Sequence, residues 1–212
     1  MWQRVNTVIG ATAAPDPDAQ LMLRVRDGDD DSFRVLLDKH RNPLVHFLYR
    51  MVQEQAVSEE LAQEVFLRIY KSRLSYEPTA RFTTWMFRIA THLALNWLRD
   101  EKNERAQERL DAVNKDDRGG DLPVREVADR QPSVEQNMLY QARLQEVRDA
   151  IAKLPEKQRA AVLMHKYREM EYAQIAGVLG ISESAVKSLL FRAYETLRAR
   201  LAHMVTGGSL EK

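Results

Sequence analysis

The amino-acid sequence predicts an all-α protein: two small helical domains joined by a flexible acidic linker. Three observations carry that expectation. Apolar residues recur at i, i+3, i+4 and i+7 in successive stretches, and no strand-like alternation runs long enough to compete. Between residues 100 and 133 the periodicity fails, and Gly119, Gly120, Pro123 and Pro132 fall in a segment of 7 basic and 10 acidic residues. The flanks differ in charge, with 12 basic and 12 acidic residues over 16–99 but 11 and 8 over 134–205. A whole-chain charge of +1 therefore conceals a basic C-terminal part, the sign expected of a surface that meets nucleic acid. The expected division is a flexible tail over residues 1–18, a domain over 19–103, the linker over 104–133, a second domain over 134–205 and a tail over 206–212.

The opening stretch MWQRVNTVIGATAA is broken by Asn6 and Thr7 and followed by Asp16 and Asp18, so it reads as a tail rather than a leader peptide. From Ala19 to Val52, Leu21, Leu23, Val25, Phe33, Leu36, Leu37, Val45, Phe47 and Leu48 fall at helical intervals, interrupted by RDGDDDSF. Two amphipathic helices account for them, the second capped by Asp31 or Ser32 and restarted or kinked at Pro43. Ser58 is the expected N-cap of a third helix with the stripe Leu61, Val65, Phe66, Ile69 and Tyr70. Its other face carries Glu60, Gln63, Glu64, Arg68 and Lys71, and taken alone that face reads as solvated.

A loop punctuated by Pro78 leads to a fourth helix, Phe82 to Arg99. Phe82, Trp85, Met86, Ile89, Ala90, Leu93 and Trp97 form its core stripe, with Thr84, Arg88, Thr91, His92, Asn96 and Arg99 opposite. Tyr76, Arg81 and Phe82, where this helix starts, can stack exposed bases, although spacing assigns most of the aromatics to the core.

Beyond the linker, Val134–Lys153 is helical, and LPEKQRAAVLMHKYREM places Pro155 in the first turn of the next helix. The stretch EYAQIAGVLGISESAVKSLLFRAYETLRAR follows. A short helix with Ile175, Ala176 and Leu179 inward ends at Gly180, where a tight or left-handed turn is cheapest. Ser182 then caps a helix that buries Ala185, Val186, Leu189 and Leu190. That layout is a helix-turn-helix, whose second helix enters the major groove. Ser184, Lys187, Ser188 and Arg192 face outward, and Lys187 and Arg192 can reach phosphates or guanine edges. A packing hairpin with a glycine turn is the plainer alternative.

Catalysis finds no footing. The five histidines, His40, His46, His92, His165 and His203, form no metal-ligand spacing, and there is no phosphate-binding glycine loop or nucleophile elbow. With no cysteine, a disulfide, a thiolate metal site and a cysteine nucleophile are excluded, which fits the cytoplasm. No apolar run reaches the ~18 residues of a membrane span. A non-enzymatic binding protein without cofactor or metal is the expectation.

Three motifs in order, LAQEVFLRIYKS, RFTTWMFRIATHLALNWLRDEKNER and LPEKQRAAVLMHKYREMEYAQIAGVLGISESAVKSLLFRA, make the chain similar to a bacterial RNA polymerase sigma factor. It resembles the extracytoplasmic-function group of the sigma-70 family, which keeps only regions 2 and 4. The resemblance implies that residues 19–103 are region 2 and 134–205 region 4, with the linker threading the polymerase cleft and RNA exit channel. It implies that the third helix docks on the clamp helices of the largest polymerase subunit through Glu60, Gln63, Glu64 and Arg68. It implies capture of a flipped base of the −10 element and holding of melted DNA by Tyr76, Arg81, Thr84, Trp85, Arg88, Asn96 and Arg99, with Trp85 partly core. Ser184, Lys187, Ser188, Phe191 and Arg192 fall on the −35-reading helix. The implied partners are core RNA polymerase (clamp helices and flap region), promoter DNA and an anti-sigma factor, without membrane insertion.

Three positions and one loop depart from the family pattern. Leu189 replaces a basic residue, Tyr194 replaces an arginine, Gln174 stands where an acidic residue is usual, and the loop Tyr76–Arg81 lacks the usual glycine and Asn-like residue. Leu189 and Tyr194 are expected to alter the DNA-facing surface. A stand-alone regulator or a helical adaptor sharing the helix-turn-helix are the competing readings, and neither accounts for the Gln63–Glu64 pair.

Overall fold

The computed structural model describes residues 16–111 and 134–206, and the described residues form helices without strands. The helices are α1 (Pro17–Arg26), α2 (Asp30–Val52), α3 (Gln55–Lys71), α4 (Phe82–Asp111), α5 (Val134–Ala152), α6 (Glu156–Arg168), α7 (Tyr172–Leu179), α8 (Glu183–Arg200) and α9 (Ala202–Thr206). A 3-10 turn over Arg73–Ser75 separates α3 from the loop before α4.

Several helix starts differ from the sequence reading. The tail expected over 1–18 ends earlier, because Asp16 caps α1 and Pro17 occupies its first turn. Asp16 Oδ1 accepts from the Asp18 N–H at 3.2 Å, and its Oδ2 accepts from the Phe82 N–H at 2.7 Å. One carboxylate thus satisfies main-chain donors at the starts of both α1 and α4. Asp18 is buried, accepting from Lys39 Nζ at 2.6 Å and lying 2.9 Å from His40 Nε2. The cap of α2 is Asp29 rather than Asp31 or Ser32, accepting from the Ser32 N–H at 3.2 Å and from its hydroxyl at 2.7 Å. Those two bonds hold the Asp29 carboxyl below its ordinary range.

Pro43 lies within the 23-residue α2 without ending it. Ser58 is not a cap, since α3 starts at Gln55 and the buried Ser58 hydroxyl donates to the Gln55 carbonyl at 2.7 Å. The fourth helix extends to Asp111, eight residues into the expected linker. Glu101 and Arg105 pair at 2.6 Å one turn apart, and no glycine or proline interrupts the run. The rest of the expected linker and residues 207–212 lie outside the described residues.

One apolar cluster runs through both halves of the chain. It holds Leu36, Phe47, Ile69, Phe82 and Met86 from the first half and Leu163, Met164, Ile175, Val186 and Leu190 from the second. Helix α4 packs on α2 and α3 and also on α6 and α7 of the C-terminal half. That double contact buries Phe87, Ala94 and Leu98 besides the expected stripe, and buries Thr84 and Thr91, which the sequence placed on the outer face. Within the helix-turn-helix the reading holds closely. Gly180 is left-handed at φ 65°, and Ser182 accepts from the Ala185 N–H at 3.2 Å.

Candidate nucleic-acid interface

Helix α8 presents one polar stripe. Ser184, Lys187, Ser188 and Arg192 are exposed at helical spacing, and between them Phe191 stands 67% exposed. A phenylalanine so open gains nothing from the core, so packing does not explain it. Arg192 Nε donates to the Ser188 carbonyl at 3.3 Å, which lays the guanidinium along the helix toward its N-terminal half. Lys187 Nζ lies 6.0 Å from the Tyr172 ring centroid.

The two departures expected to reshape this surface face elsewhere. Leu189 and Tyr194 are partly buried against the core, and the Tyr194 hydroxyl lies 2.9 Å from His165 Nδ1. Burial, with Tyr172 close by, pushes the Tyr194 phenol up from its ordinary value. Tyr194 joins α8 to α6, and neither residue belongs to the exposed outer stripe.

The candidates in the first half separate. Arg88, Asn96 and Arg99 are exposed along one side of α4, and Arg81 is exposed at its start, where its carbonyl accepts from the Trp85 N–H at 3.2 Å. Trp85 is half-buried between Tyr76, 5.0 Å away centroid to centroid, and Phe82 at 6.0 Å. Tyr76 is 5% exposed, so its ring belongs to the core and is closed to base stacking. Burial, reinforced by the charges of Asp16 and Asp18, pushes its phenol up to about 12. Thr84 is covered by α7, and its hydroxyl accepts from Gln174 Nε2 at 3.3 Å.

On α3, Glu60, Gln63 and Arg68 are exposed and Glu64 is half-buried, with Arg68 Nε donating to Glu64 Oε1 at 2.6 Å. Leu67, 45% exposed, sits among them, outside the apolar stripe of α3. Its apolar character on an otherwise polar face was the available signal. Beside it a groove of about 580 Å³ opens between α2 and α3, lined by Phe33, Leu37, Val45, Gln63, Phe66 and Leu67 among others. An apolar floor with a polar rim suits an amphipathic helix. Among the described residues, no group of acidic and histidine side chains has metal-binding geometry, and no helix is long and apolar enough to cross a membrane.

Comparison with known proteins agrees with this layout. Residues 36–104 match Sigma-70 region 2, and residues 144–197 match Sigma-70 region 4. The RNA polymerase sigma factor CarQ of Myxococcus xanthus is 32% identical over 184 residues, covering 86% of this chain and 97% of CarQ. The chain belongs to the extracytoplasmic-function sigma factors of the sigma-70 family. The ECF sigma factor SigW of Bacillus subtilis is 29% identical over 84% of this chain and 93% of its own. In fold, this sigma factor is similar to RpoE of Bartonella quintana, solved with the anti-sigma factor NepR, at a TM-score of 0.61 and 17% identity over 80% of this chain and 96% of RpoE. It is also similar to CnrH, solved with the cytosolic domain of CnrY, at a TM-score of 0.58 and 21% identity over 91% of this chain and 99% of CnrH. The family is one of transcription initiation factors rather than catalysts.

Proposed function

We propose that this sigma factor reads a −35 element with α8 and opens a −10 element with α4 while α3 holds it on core RNA polymerase. The carrying observation is the stripe of Ser184, Lys187, Ser188, Phe191 and Arg192, polar and open apart from one phenylalanine that packing does not use. Arg192 serves as the base reader, bidentate to a guanine edge, and Lys187 as a phosphate contact that adds affinity without sequence preference. Phe191 offers an apolar face to a thymine methyl.

On α4, Arg88, Asn96 and Arg99 form the backbone-holding strip, and Arg81 with the open side of Trp85 lies where a flipped base would be received. With Tyr76 inside the core, the loop from Glu77 to Arg81 supplies the pocket. Glu60, Gln63 and Glu64 with Leu67 meet the polymerase clamp helices, and the α2–α3 groove receives the apolar side of a helix there. Control by an anti-sigma factor, in the cytoplasm, is supported by the similarity to RpoE, which was solved with one.

The test is reconstitution. The purified chain is added to core polymerase and a promoter library, and the run-off transcripts are sequenced. Promoter-dependent initiation with paired upstream motifs is expected. Core binding without such initiation overturns the reading.

A further inference from the structure

Polar side chains of α6 reach its neighbours on two sides. Toward α2, Arg159 and Arg168 donate to the Met51 and Pro43 carbonyls. Toward α8, His165 meets one side chain, its Nδ1 lying 2.9 Å from the Tyr194 hydroxyl. Most of what seats α8 in its bundle is apolar, with Val186, Leu190, Ala193 and Leu197 buried along its inner face. Apolar burial is non-directional, so it fixes where α8 lies better than how far it is rotated about its own axis. A hydrogen bond weakens steeply once its distance or angle is lost, so it resists that rotation. Among the described residues, the other α8 side chain hydrogen-bonded beyond its own helix and cap is Arg200, 3.4 Å from the Ala150 carbonyl of α5.

The pair is one end of a chain of contacts. The His165 ring packs on Tyr172, the first residue of α7, with centroids 5.3 Å apart and planes at 34°. Lys187 Nζ approaches the same Tyr172 ring from α8. Lys187 and Tyr194 are seven residues apart on α8, which places them two turns apart along one edge. At that edge buried Leu190 gives way to open Phe191. Tyr194, His165, Tyr172 and Lys187 thus tie α8 to α6 and to the start of α7 beside the reading surface. The raised Tyr194 phenol keeps its proton at neutral pH, so the hydroxyl stays able to donate.

We propose that Tyr194 and His165 are positioning residues for −35 recognition: their hydrogen bond sets the rotation of α8, and with it the direction in which Ser188 and Arg192 meet the bases. This rests on the reading of α8 as the −35 helix. At the ~6 Å outer radius of a helix, a rotation of about 10° moves a side-chain atom by ~1 Å, twice the width of the usual hydrogen-bond distance range. A guanidinium fork aimed at one base edge does not absorb such a shift, whereas the long, flexible stem of Lys187 keeps a phosphate in reach. The bond therefore governs sequence preference more than affinity. It also gives the departure at position 194 a role. Where the family pattern has an arginine, this chain carries a neutral side chain turned into the bundle, which supports the reading helix from behind.

Tyr194→Phe removes one hydroxyl and leaves the ring in place. The full-length variant is assembled with core polymerase, and run-off transcripts are sequenced from promoters randomised over the −35 element with the −10 element held constant. Preference for the best −35 sequence over the pool should fall about fivefold, a fraction of what a strong bidentate base contact supplies. Core binding and initiation from the weakest −35 sequences should stay unchanged. His165→Phe should lose the same preference, and the double variant should lose no more than either, because both substitutions remove one shared bond. His165→Asn keeps a hydrogen-bonding group near the Nδ1 position and should retain more preference than His165→Phe. The Nδ1 resonance of His165, followed by nitrogen NMR on the free chain, should shift in Tyr194→Phe. An unmoved resonance overturns the bond. A shifted resonance with the −35 preference intact, or initiation lowered alike on every sequence, overturns the positioning role, and so do additive losses in the double variant. Absent promoter-dependent initiation from the unsubstituted chain overturns the −35 reading itself, and the proposal with it, whatever the resonance does.

Discussion

Replacing Asp16 by alanine removes one side chain and two hydrogen bonds to main-chain donors, one of them 66 residues away at Phe82. Loss of the α1 cap costs about 1 kcal/mol. The 2.7 Å bond from the Phe82 N–H to a carboxylate is charge-assisted, and its loss costs about 1.5–3 kcal/mol. The sum, about 3 kcal/mol, should lower the thermal midpoint by about 6–12 °C, given ~2–4 °C per kcal/mol in a protein of this size. Asp16→Asn keeps only one of the two oxygens, so it retains one bond, loses the other and the charge, and should cost about 1–3 kcal/mol. Urea unfolding followed by circular dichroism at pH 7 measures both variants. Deleting the first 18 residues should match or exceed the alanine variant, because Asp18 goes as well. A Asp16→Ala chain within about 0.5 kcal/mol of the parent would show that Asp16 does not join α1 to α4, and the residue would return to the tail.

Further outcomes follow from the same geometry. Arg192→Ala should relax preference at one −35 position by about 1–3 kcal/mol, while Lys187→Ala weakens all sequences alike and reduces the salt slope by about 0.9, both read by titration on randomised promoters. Glu64→Lys should abolish core association with an unchanged dichroism spectrum, because the Glu64–Arg68 pair, open to solvent on one side, contributes only about 0.5 kcal/mol to folding. Tyr76→Phe removes a buried hydroxyl without a partner, so stability should hold or rise by about 1 kcal/mol and −10 usage should stay unchanged in run-off assays. Burial drives the His40 imidazole below its ordinary 6.5, against the opposing pull of Asp18. The unfolded chain therefore takes up a proton that the folded one resists, and stability should fall as pH drops through about 6.5. Measured between pH 7.5 and 5.5, that fall should shrink in His40→Gln.

The helix-turn-helix was readable almost to the residue, because its signals are local. A left-handed glycine, a serine cap and a 3.6-residue stripe each act within a few positions of themselves. The errors lie where a distant partner decides. Asp16 and Asp18 look like polar tail until Phe82, Lys39 and His40 are brought to them. Thr84 and Thr91 look like an outer face because a single helix shows one stripe, whereas α4 is packed from both sides. Tyr76 looked like a stacking platform beside Arg81, and its burial under Trp85 depends on the same long-range closure. Helical spacing already turned Leu189 inward, whereas Tyr194 was misplaced for a subtler reason. Position on α8 was judged from residue type, yet the His165 ring gives a tyrosine a polar partner inside the bundle.

Arg159 and Arg168 reach across to main-chain oxygens of Met51 and Pro43, and not to any side chain of α2. A carbonyl is present whatever amino acid occupies the position, so substitution along residues 43–51 cannot delete either acceptor. Drift on that helix would leave these contacts standing, whereas one codon change in α6 removes one. A genetic selection for chains whose halves part too easily should therefore return lesions in α6, with α2 nearly silent apart from changes that damage its own packing.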